Sequence, residues 1–212
     1  MKKVVKFGGS SLASAEQFKK VGNIIRAEES RRYVIPSAPG KRFSDDVKVT
    51  DMLYKCYGAA VKGKKFTDSL KDIQERYNEI IEGLGLTLSL EKEFEIIRDN
   101  FAKKAGRDYA ASRGEYLNGI IMANYLGYVF IDAAEVIFFD EEGKFDTDKT
   151  NEILSERLNK AERAVIPGFY GSFTGRGQSK TFLKGGGFGT VGTPGPSDWL
   201  AWKLAGQKKV RD

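Results

Sequence analysis

The chain begins with short apolar runs that alternate with a helical pattern. Residues 4–7 form a β-type apolar run that ends at the pair Gly8-Gly9. Apolar residues then recur at helical spacing over positions 18–25, and a second β-type run occupies positions 32–36. A strand, a helix and a second strand in this order predict a βαβ unit, whose two strands lie parallel in one sheet.

Two capping boxes predict where helices begin. Ser14 is followed three residues later by Gln17, which places a helix start near Ala15. Ser112 is followed in the same way by Glu115, so we expect a second helix to open at Ser112. In such a box the glutamate bonds back to the amide of the capping serine, and that bond alone would account for Glu115.

The rest of the chain continues this mixture of helices and strands. The apolar spacing predicts helices at 48–62, 67–83, 90–104 and around 153–158, and strands at 128–131, 136–139 and 164–167. We expect the first three of these helices to form a block packed outside the sheet. Strands separated by helices predict an α/β protein with a mainly parallel sheet.

The residue composition narrows the chemistry. The 212 residues include no histidine and a single cysteine, Cys56. Without histidine there is no imidazole base, so acid–base steps would fall to aspartate, glutamate, lysine or tyrosine. One cysteine excludes a disulfide within the chain and fits a reducing, cytoplasmic compartment. The N-terminal apolar run is too short for a signal peptide or a membrane span, so we expect a soluble protein.

The positive charge is concentrated near the C-terminus. The net charge is +6, of which residues 180–212 carry +4. This segment also contains Trp199 and Trp202, and a nucleic-acid-binding protein would need such an aromatic, basic stretch. The remainder of the sequence carries only +2, so we expect no nucleic-acid partner.

The pair Gly8-Gly9 lies between a predicted strand and a predicted helix. Glycines at this point let the backbone approach a phosphate, with amides and the helix N-terminus facing the anion, and Lys6 can add a positive charge. The loop is not a Walker A motif, because no Gly-Lys-Ser or Gly-Lys-Thr ends it. A tight turn without any ligand explains the same pair, so spacing alone leaves both interpretations open.

Four segments together resemble the motifs of a known family. They are Lys6-Phe7-Gly8-Gly9-Ser10-Ser11, residues 34–42 with 48–51, Ser112-Arg113-Gly114-Glu115, and Ile166-Pro167-Gly168-Phe169-Tyr170-Gly171. In this order, over residues 2–182, they resemble aspartokinases, which are enzymes of the amino acid kinase family. The resemblance implies a three-layer α/β/α fold with a mainly parallel sheet, similar to that of carbamate kinases.

The resemblance also implies an activity. Aspartokinases transfer the γ-phosphoryl group of ATP, with Mg²⁺, to the side-chain carboxylate of L-aspartate, giving 4-phospho-L-aspartate on the route to lysine, threonine and methionine. Position by position, the implied phosphate-binding residues are Lys6, Gly8, Gly9 and Ser10, and the implied aspartate-binding residues are Ser37, Thr50 and Glu115. Lys6 would also act in catalysis by neutralising the transferred phosphoryl group, and Glu115 would pair with the α-ammonium group. Family members commonly form dimers, so we expect a homodimer.

Each of these residues also has a purely structural interpretation. Lys6 would be a solvent-facing residue on an edge of its strand, and Ser37 would serve only the geometry of a Pro-Ser-Ala-Pro turn. Thr50 would lie on an exposed helical face, and Glu115 would be a capping-box glutamate. We interpret Arg113 as part of the local structure.

The sequence departs from the family pattern after residue 182. Where the pattern continues with Ser-Arg-Gly-Gly-Ser-Asp, this chain has Leu183-Lys184-Gly185-Gly186-Gly187-Phe188. At the position of the family's catalytic arginine this chain has Lys184. A lysine lacks the planar guanidinium group that binds a carboxylate through two hydrogen bonds. Gly185 and Gly186 would contact phosphate, while Phe188 replaces a charged aspartate.

These differences predict two segments. Residues 1–182 would be an incomplete amino acid kinase domain, the aspartate-binding lobe, and residues 183–212 a divergent basic tail where the nucleotide lobe would continue. A truncated or frameshifted reading frame would produce such a chain. The leading hypothesis is an aspartate kinase. The alternatives are a non-catalytic remnant that binds aspartate or phosphate without turnover, and a kinase acting on glutamate, carbamate or a nucleotide.

Overall fold

The predicted βαβ order is present in a computed structural model of the chain, which describes residues 2–173 and the backbone of residues 181–183. The helices are α1 (Ala15–Arg26), α2 (Val49–Val61), α3 (Thr67–Gly83), α4 (Glu91–Ala102), α5 (Arg107–Leu126), α6 (Ala133–Val136) and α7 (Thr147–Lys160). The strands are β1 (Lys3–Phe7), β2 (Arg31–Pro36), β3 (Val129–Phe130), β4 (Phe138–Phe139), β5 (Ala164–Val165), β6 (Tyr170–Phe173) and β7 (Thr181–Leu183). The helices predicted at 48–62, 67–83 and 90–104 are therefore confirmed to within two residues at each end.

Four strands form a parallel sheet in the order β1-β2-β5-β3. β1 and β2 pair directly, with Lys6 opposite Ile35 and Phe7 opposite Pro36. Because the strands run in the same direction, the loop after β1 and the loop after β2 leave the sheet side by side. Ligands of open α/β sheets bind at this carboxyl edge of the strands.

Helices cover both faces of this sheet. Along β2 successive side chains point to opposite faces, so Val34 belongs to one apolar core and Tyr33 and Ile35 belong to another. The first core is built with residues of α1 to α5, and the second includes Leu154 and Leu158 of α7. The expected α/β/α arrangement with a mainly parallel sheet is confirmed.

The helical block outside the sheet is also confirmed. Each of its helices buries an apolar stripe, and in α4 the buried residues are Phe94, Ile97 and Phe101. The ring of Phe101 packs edge-on against Tyr57 of α2, with 5.3 Å between ring centroids. Among the residues that the structure describes, no helix is long and apolar enough to cross a membrane.

A second, smaller sheet was not predicted from the sequence. It has the order β4-β6-β7, with β4 and β6 parallel and β6 and β7 antiparallel. The β6 segment Tyr170-Gly171-Ser172-Phe173 is short and has a glycine in its interior, which weakens the local signal for a strand despite its two aromatic residues. It becomes a strand through tertiary pairing, and the Ser172 amide donates to the Ile137 carbonyl over 2.8 Å. The run predicted at 136–139 is a strand only at its end, because Val136 closes α6.

One of the two predicted capping boxes is wrong. Ser14 caps α1 as expected, and its hydroxyl accepts a hydrogen bond from the Gln17 amide over 3.4 Å. Ser112 lies inside α5, which begins five residues earlier, and its hydroxyl donates to the Tyr109 carbonyl over 2.7 Å. A serine inside a helix can make this backward bond instead of capping. The structural interpretation of Glu115 as a capping residue therefore fails.

Candidate functional site

A pocket of about 780 Å³ opens at the carboxyl ends of β1 and β2. We call it the loop pocket. Its walls come from the loops after these two strands, the beginning of α2, the face of α5 and the loop after β5, and its lining residues include Lys6, Gly9, Ser10, Ser37, Thr50 and Glu115. Six residues that the sequence analysis selected from three separate motifs therefore meet at one place, and Phe169 of the fourth motif also lines the pocket.

Four other candidates are not seen in the pocket lining. Gly8 precedes the pocket-lining part of the loop and is not among the lining residues. Lys184, Gly185 and Gly186 fall outside the residues that the structure describes, so their assigned roles stay predictions.

Two of the structural interpretations can be compared with the observed positions. Lys6 is exposed, as the structural interpretation expects, but it also lines the loop pocket. Thr50 is half-buried in the first turn of α2 and faces the pocket, so it does not lie on an open helical surface.

The loops after β1 and β2 are joined by their backbones. The Gly40 amide donates to the Gly9 carbonyl over 2.8 Å, and the Ser37 amide donates to the Phe7 carbonyl over 3.0 Å. A Cβ atom on Gly40 would lie 2.6 Å from the carbonyl carbon of Gly9, and one on Gly9 would lie 2.8 Å from the Ala38 oxygen. Real Cβ atoms do not approach backbone this closely, so the contact requires glycine in both loops.

Glu115 is the buried acid of the loop pocket. It lies on α5 with 7% of its surface exposed, and its Oε2 accepts a hydrogen bond from the Phe169 amide over 3.1 Å. Burial raises the pKa of Glu115 to about 8, although the amides of Phe169 and Gly168 and the charge of Lys6 act in the opposite direction. A buried carboxylate of this kind is stabilised by a cationic partner.

The charges around the pocket are mixed but mainly positive. Lys41 and Lys48 line it together with Lys6, and the two acids Asp51 and Glu115 are also lining residues. Lys41, Lys48 and Asp51 lie within the segments 34–42 and 48–51, yet no role had been assigned to them individually. Several lysines with a buried acid suit a ligand that carries anionic groups and one ammonium group.

The pocket does not contain a ready-made metal site. In residues 2–173 no group of three or more acidic, histidine or cysteine side chains could hold a metal ion. Mg²⁺ commonly takes one or two protein carboxylates and completes its shell with water and substrate phosphates. The residues present fit a Mg²⁺ ion that depends on nucleotide phosphates for most of its ligands.

Asn118 is a site residue that the sequence analysis missed. It lies on the face of α5 that carries Glu115, three residues further along, and its Nδ2 donates to the Ser37 carbonyl over 2.6 Å. Its side chain is fully buried, and within the described part of the chain its Oδ1 has no hydrogen-bond partner. The sequence did contain a signal for Asn118, because this polar amide residue interrupts the apolar stripe of α5 that includes Leu117 and Ile121.

We expect Asn118→Ala to loosen the loop after β2. Loss of the bond leaves the Ser37 carbonyl without its donor, so the free energy of unfolding should fall by about 1–3 kcal/mol. Urea unfolding measures this change. Asn100→Ala is the matched control, because the Asn100 side-chain amide makes a similar but solvent-exposed bond to the Ile96 carbonyl and its loss should cost less than half as much stability. Equal losses in the two variants would contradict the assignment.

Arg113 takes part in local packing. Its guanidinium lies over the rings of Tyr109, Tyr116 and Tyr170, at 4.8, 4.3 and 5.4 Å from their centroids. Its Nε donates to the Ser112 hydroxyl over 3.1 Å, and it is not among the lining residues of the pocket. These cation–π contacts are the kind that hold a buried arginine in place, in agreement with the structural interpretation.

Known proteins have sequences similar to this chain. The sequence model of the amino acid kinase family matches residues 1–190. Aspartokinase 3 of Bacillus subtilis is 34% identical over 202 residues, which cover 87% of this chain and 43% of that protein. The chloroplastic aspartokinase 2 of Arabidopsis thaliana is 30% identical over 176 residues, with 78% and 32% covered.

Two solved structures resemble the fold. The aspartate kinase of Clostridium acetobutylicum superposes with a TM-score of 0.82 at 49% sequence identity, covering 86% of this chain and 42% of that one. Escherichia coli aspartokinase III, solved in complex with aspartate and ADP, gives a TM-score of 0.71 at 21% identity, covering 86% and 43%. The chain spans less than half of the length of the relatives that it matches. These matches confirm the resemblance carried by the four motifs: the chain belongs to the amino acid kinase family.

Proposed function

We propose that the chain acts as an aspartate kinase, which transfers the γ-phosphoryl group of ATP to the side-chain carboxylate of L-aspartate and yields 4-phospho-L-aspartate. The observation that carries this proposal is the loop pocket, in which six candidate residues from three aspartokinase-like motifs meet. The 49% identity to the Clostridium acetobutylicum enzyme supports the same activity.

The residues of the pocket divide between the two substrates. Glu115 pairs with the α-ammonium group of aspartate, since a buried carboxylate in this pocket needs a cation. Ser37 and Thr50 line the same pocket as Glu115 and contact the aspartate. The Gly9 and Ser10 backbone and the Lys6 side chain hold the phosphates of ATP, and Mg²⁺ enters with the nucleotide.

This chemistry does not require a histidine. The acceptor carboxylate of aspartate is already ionised at neutral pH, so no base has to remove a proton from it. Phosphoryl transfer depends mainly on positioning and on electrostatic stabilisation of the equatorial oxygens. Lys6, with Lys41 and Lys48 on the same pocket, supplies positive charge for that purpose.

A coupled assay of ADP release with ATP, Mg²⁺ and L-aspartate tests the proposal. Turnover that requires aspartate supports an aspartate kinase, and parallel reactions with glutamate, carbamate and nucleoside monophosphates test the other acceptors. Aspartate binding by calorimetry without turnover would favour the non-catalytic alternative, and absence of both would contradict the proposal.

We expect Lys6→Met to lower kcat by about 100-fold or more, because a charge at the transferred phosphoryl group is lost. The KM for aspartate should change far less. The ADP-release assay measures both constants. Lys3→Met is the matched control on the same strand, since the exposed Lys3 pairs with Glu28 and does not line the pocket. A similar loss in the Lys3 variant would contradict the role of Lys6.

The cellular compartment, the oligomeric state and the segment boundaries of the chain are also proposals. We place it in the cytoplasm, on the ground that its single cysteine fits a reducing compartment. We propose a homodimer, which light scattering on the purified chain tests. The division into residues 1–182 and a tail at 183–212 also stays a proposal. Peptide mass mapping of residues 180–212 tests whether the recorded tail is genuine.

A further inference from the structure

Arg76 is buried beneath the two loops that form the pocket. It lies on α3, whose sequence is strongly charged, yet only 3% of its surface is exposed. It does not line the loop pocket itself. An arginine is rarely buried this completely unless its guanidinium is paired, so its partners indicate why it is there.

The partners of Arg76 belong to both loops. Its Nη2 donates to the Gly40 carbonyl over 2.8 Å and to the Ala13 carbonyl over 3.2 Å. Its Nη1 donates to Asp46 Oδ2 over 2.7 Å. Ala13 ends the loop after β1, while Gly40 and Asp46 lie at either end of the segment that carries Lys41. One guanidinium therefore joins the two sides of the pocket.

The Asp46 contact is charged and nearly closed to solvent. The side chain of Asp46 is 8% exposed, and bonds from Arg42 and Arg76 hold its pKa well below its usual range. Removing one member of such a pair leaves the other charge buried without compensation. A lysine at position 76 would keep the charge but could not reach three acceptors with a planar fork.

We propose that Arg76 is a positioning residue, which sets the distance between the loop after β1 and the segment 40–48 and thereby the affinity of the pocket for L-aspartate. The identity of the ligand rests on the proposed function. The geometric part of the proposal rests on the contacts of Arg76 alone. Gly40 is joined to Gly9 by the backbone bond described above, so a shift of segment 40–48 moves the phosphate-facing loop as well.

The test compares Arg76→Lys with Arg42→Gln. Arg42 bonds to the same Asp46 carboxylate but is half-exposed and does not contact the loop carbonyls, which makes it the matched control. We expect Arg76→Lys to raise the calorimetric Kd for L-aspartate about tenfold, and Arg42→Gln to raise it less than about twofold. Hydrogen–deuterium exchange at residues 9–14 and 40–47 should be faster in Arg76→Lys and unchanged in α7.

Each outcome decides the proposal. Wild-type affinity and wild-type exchange in Arg76→Lys would overturn it, as would equal effects in the two arginine variants. If the wild-type chain does not bind L-aspartate, the proposed function fails, and the exchange of the two loops alone then supports or overturns the positioning role. If Arg76→Lys does not fold, Asp46→Asn replaces it, with an expected threefold or greater rise in Kd and faster exchange at 40–47.

Discussion

Replacing Glu115 with glutamine should weaken L-aspartate binding by about 30-fold or more, which corresponds to a loss of about 2 kcal/mol or more. Glu115 is buried on α5 at the base of the loop pocket. Glutamine keeps the size and the acceptor oxygen for the Phe169 amide, but it removes the negative charge that would meet the α-ammonium group. Isothermal titration calorimetry at pH 8.5 measures the change.

Asp51→Asn is the matched control for this substitution. Asp51 lines the same pocket from the first turn of α2 but is exposed to solvent, so its charge is screened. We expect its removal to change aspartate affinity less than about threefold. A loss in Asp51→Asn equal to that in Glu115→Gln would contradict the assignment of the ammonium group to Glu115.

The raised pKa of Glu115, about 8, adds a pH dependence to the same prediction. Below this value the free protein holds a proton on Glu115, which pairing with an ammonium group must release. Aspartate affinity should therefore increase from pH 6 to pH 9 in the wild-type chain and stay nearly constant in Glu115→Gln. Calorimetry at pH 7 in buffers of different ionisation enthalpy should detect release of a proton only in the wild type.

Aspartate affinity should rise with pH, but the stability of the ligand-free protein should fall with pH. The folded chain binds the Glu115 proton more tightly than the unfolded chain, whose carboxyl has a pKa near 4.5. The contribution of Glu115 to stability is therefore complete below pH 4.5 and is lost as the pH rises through about 8. Glu115→Gln should gain stability relative to wild type over this range, by a few kcal/mol, in urea unfolding at several pH values.

Adding a methyl group at Gly40 should destabilise the fold by about 2–4 kcal/mol. The new Cβ would lie 2.6 Å from the Gly9 carbonyl carbon and 2.7 Å from the Ser10 nitrogen, and both are backbone atoms that cannot rotate away. Relief requires the two loops to separate, which also breaks the 2.8 Å bond between the Gly40 amide and the Gly9 carbonyl. Urea unfolding of Gly40→Ala measures the loss.

Gly8→Ala provides the comparison, because it changes the neighbouring glycine of the same motif. A Cβ atom on Gly8 would meet nothing within 4 Å, and its φ of −75° is open to any residue. We expect its stability to stay within about 0.5 kcal/mol of wild type. If Gly40→Ala were as stable as Gly8→Ala, the close approach of the two loops would not be a requirement of the fold.

The main elements could be predicted because their signals are local. β1, α1 and β2 follow from apolar runs, helical spacing and the capping serine Ser14, all of which act within a few residues. The start of α5 was misplaced because Ser112 satisfies its hydroxyl within the helix, which a pattern of residue types cannot distinguish from a cap. β6 was missed because it is held by pairing with distant strands.

By itself the sequence determined the βαβ beginning, the α/β class and the family, because motif residues and apolar periods are properties of short segments. It also identified six residues that line one pocket, but their meeting depended on the parallel pairing of β1 and β2. The tertiary structure alone decided that Arg76 and Asn118 hold the pocket loops and that Glu115 is buried. Burial and long-range hydrogen bonds depend on packing between separate elements, and no local pattern of polar residues specifies them.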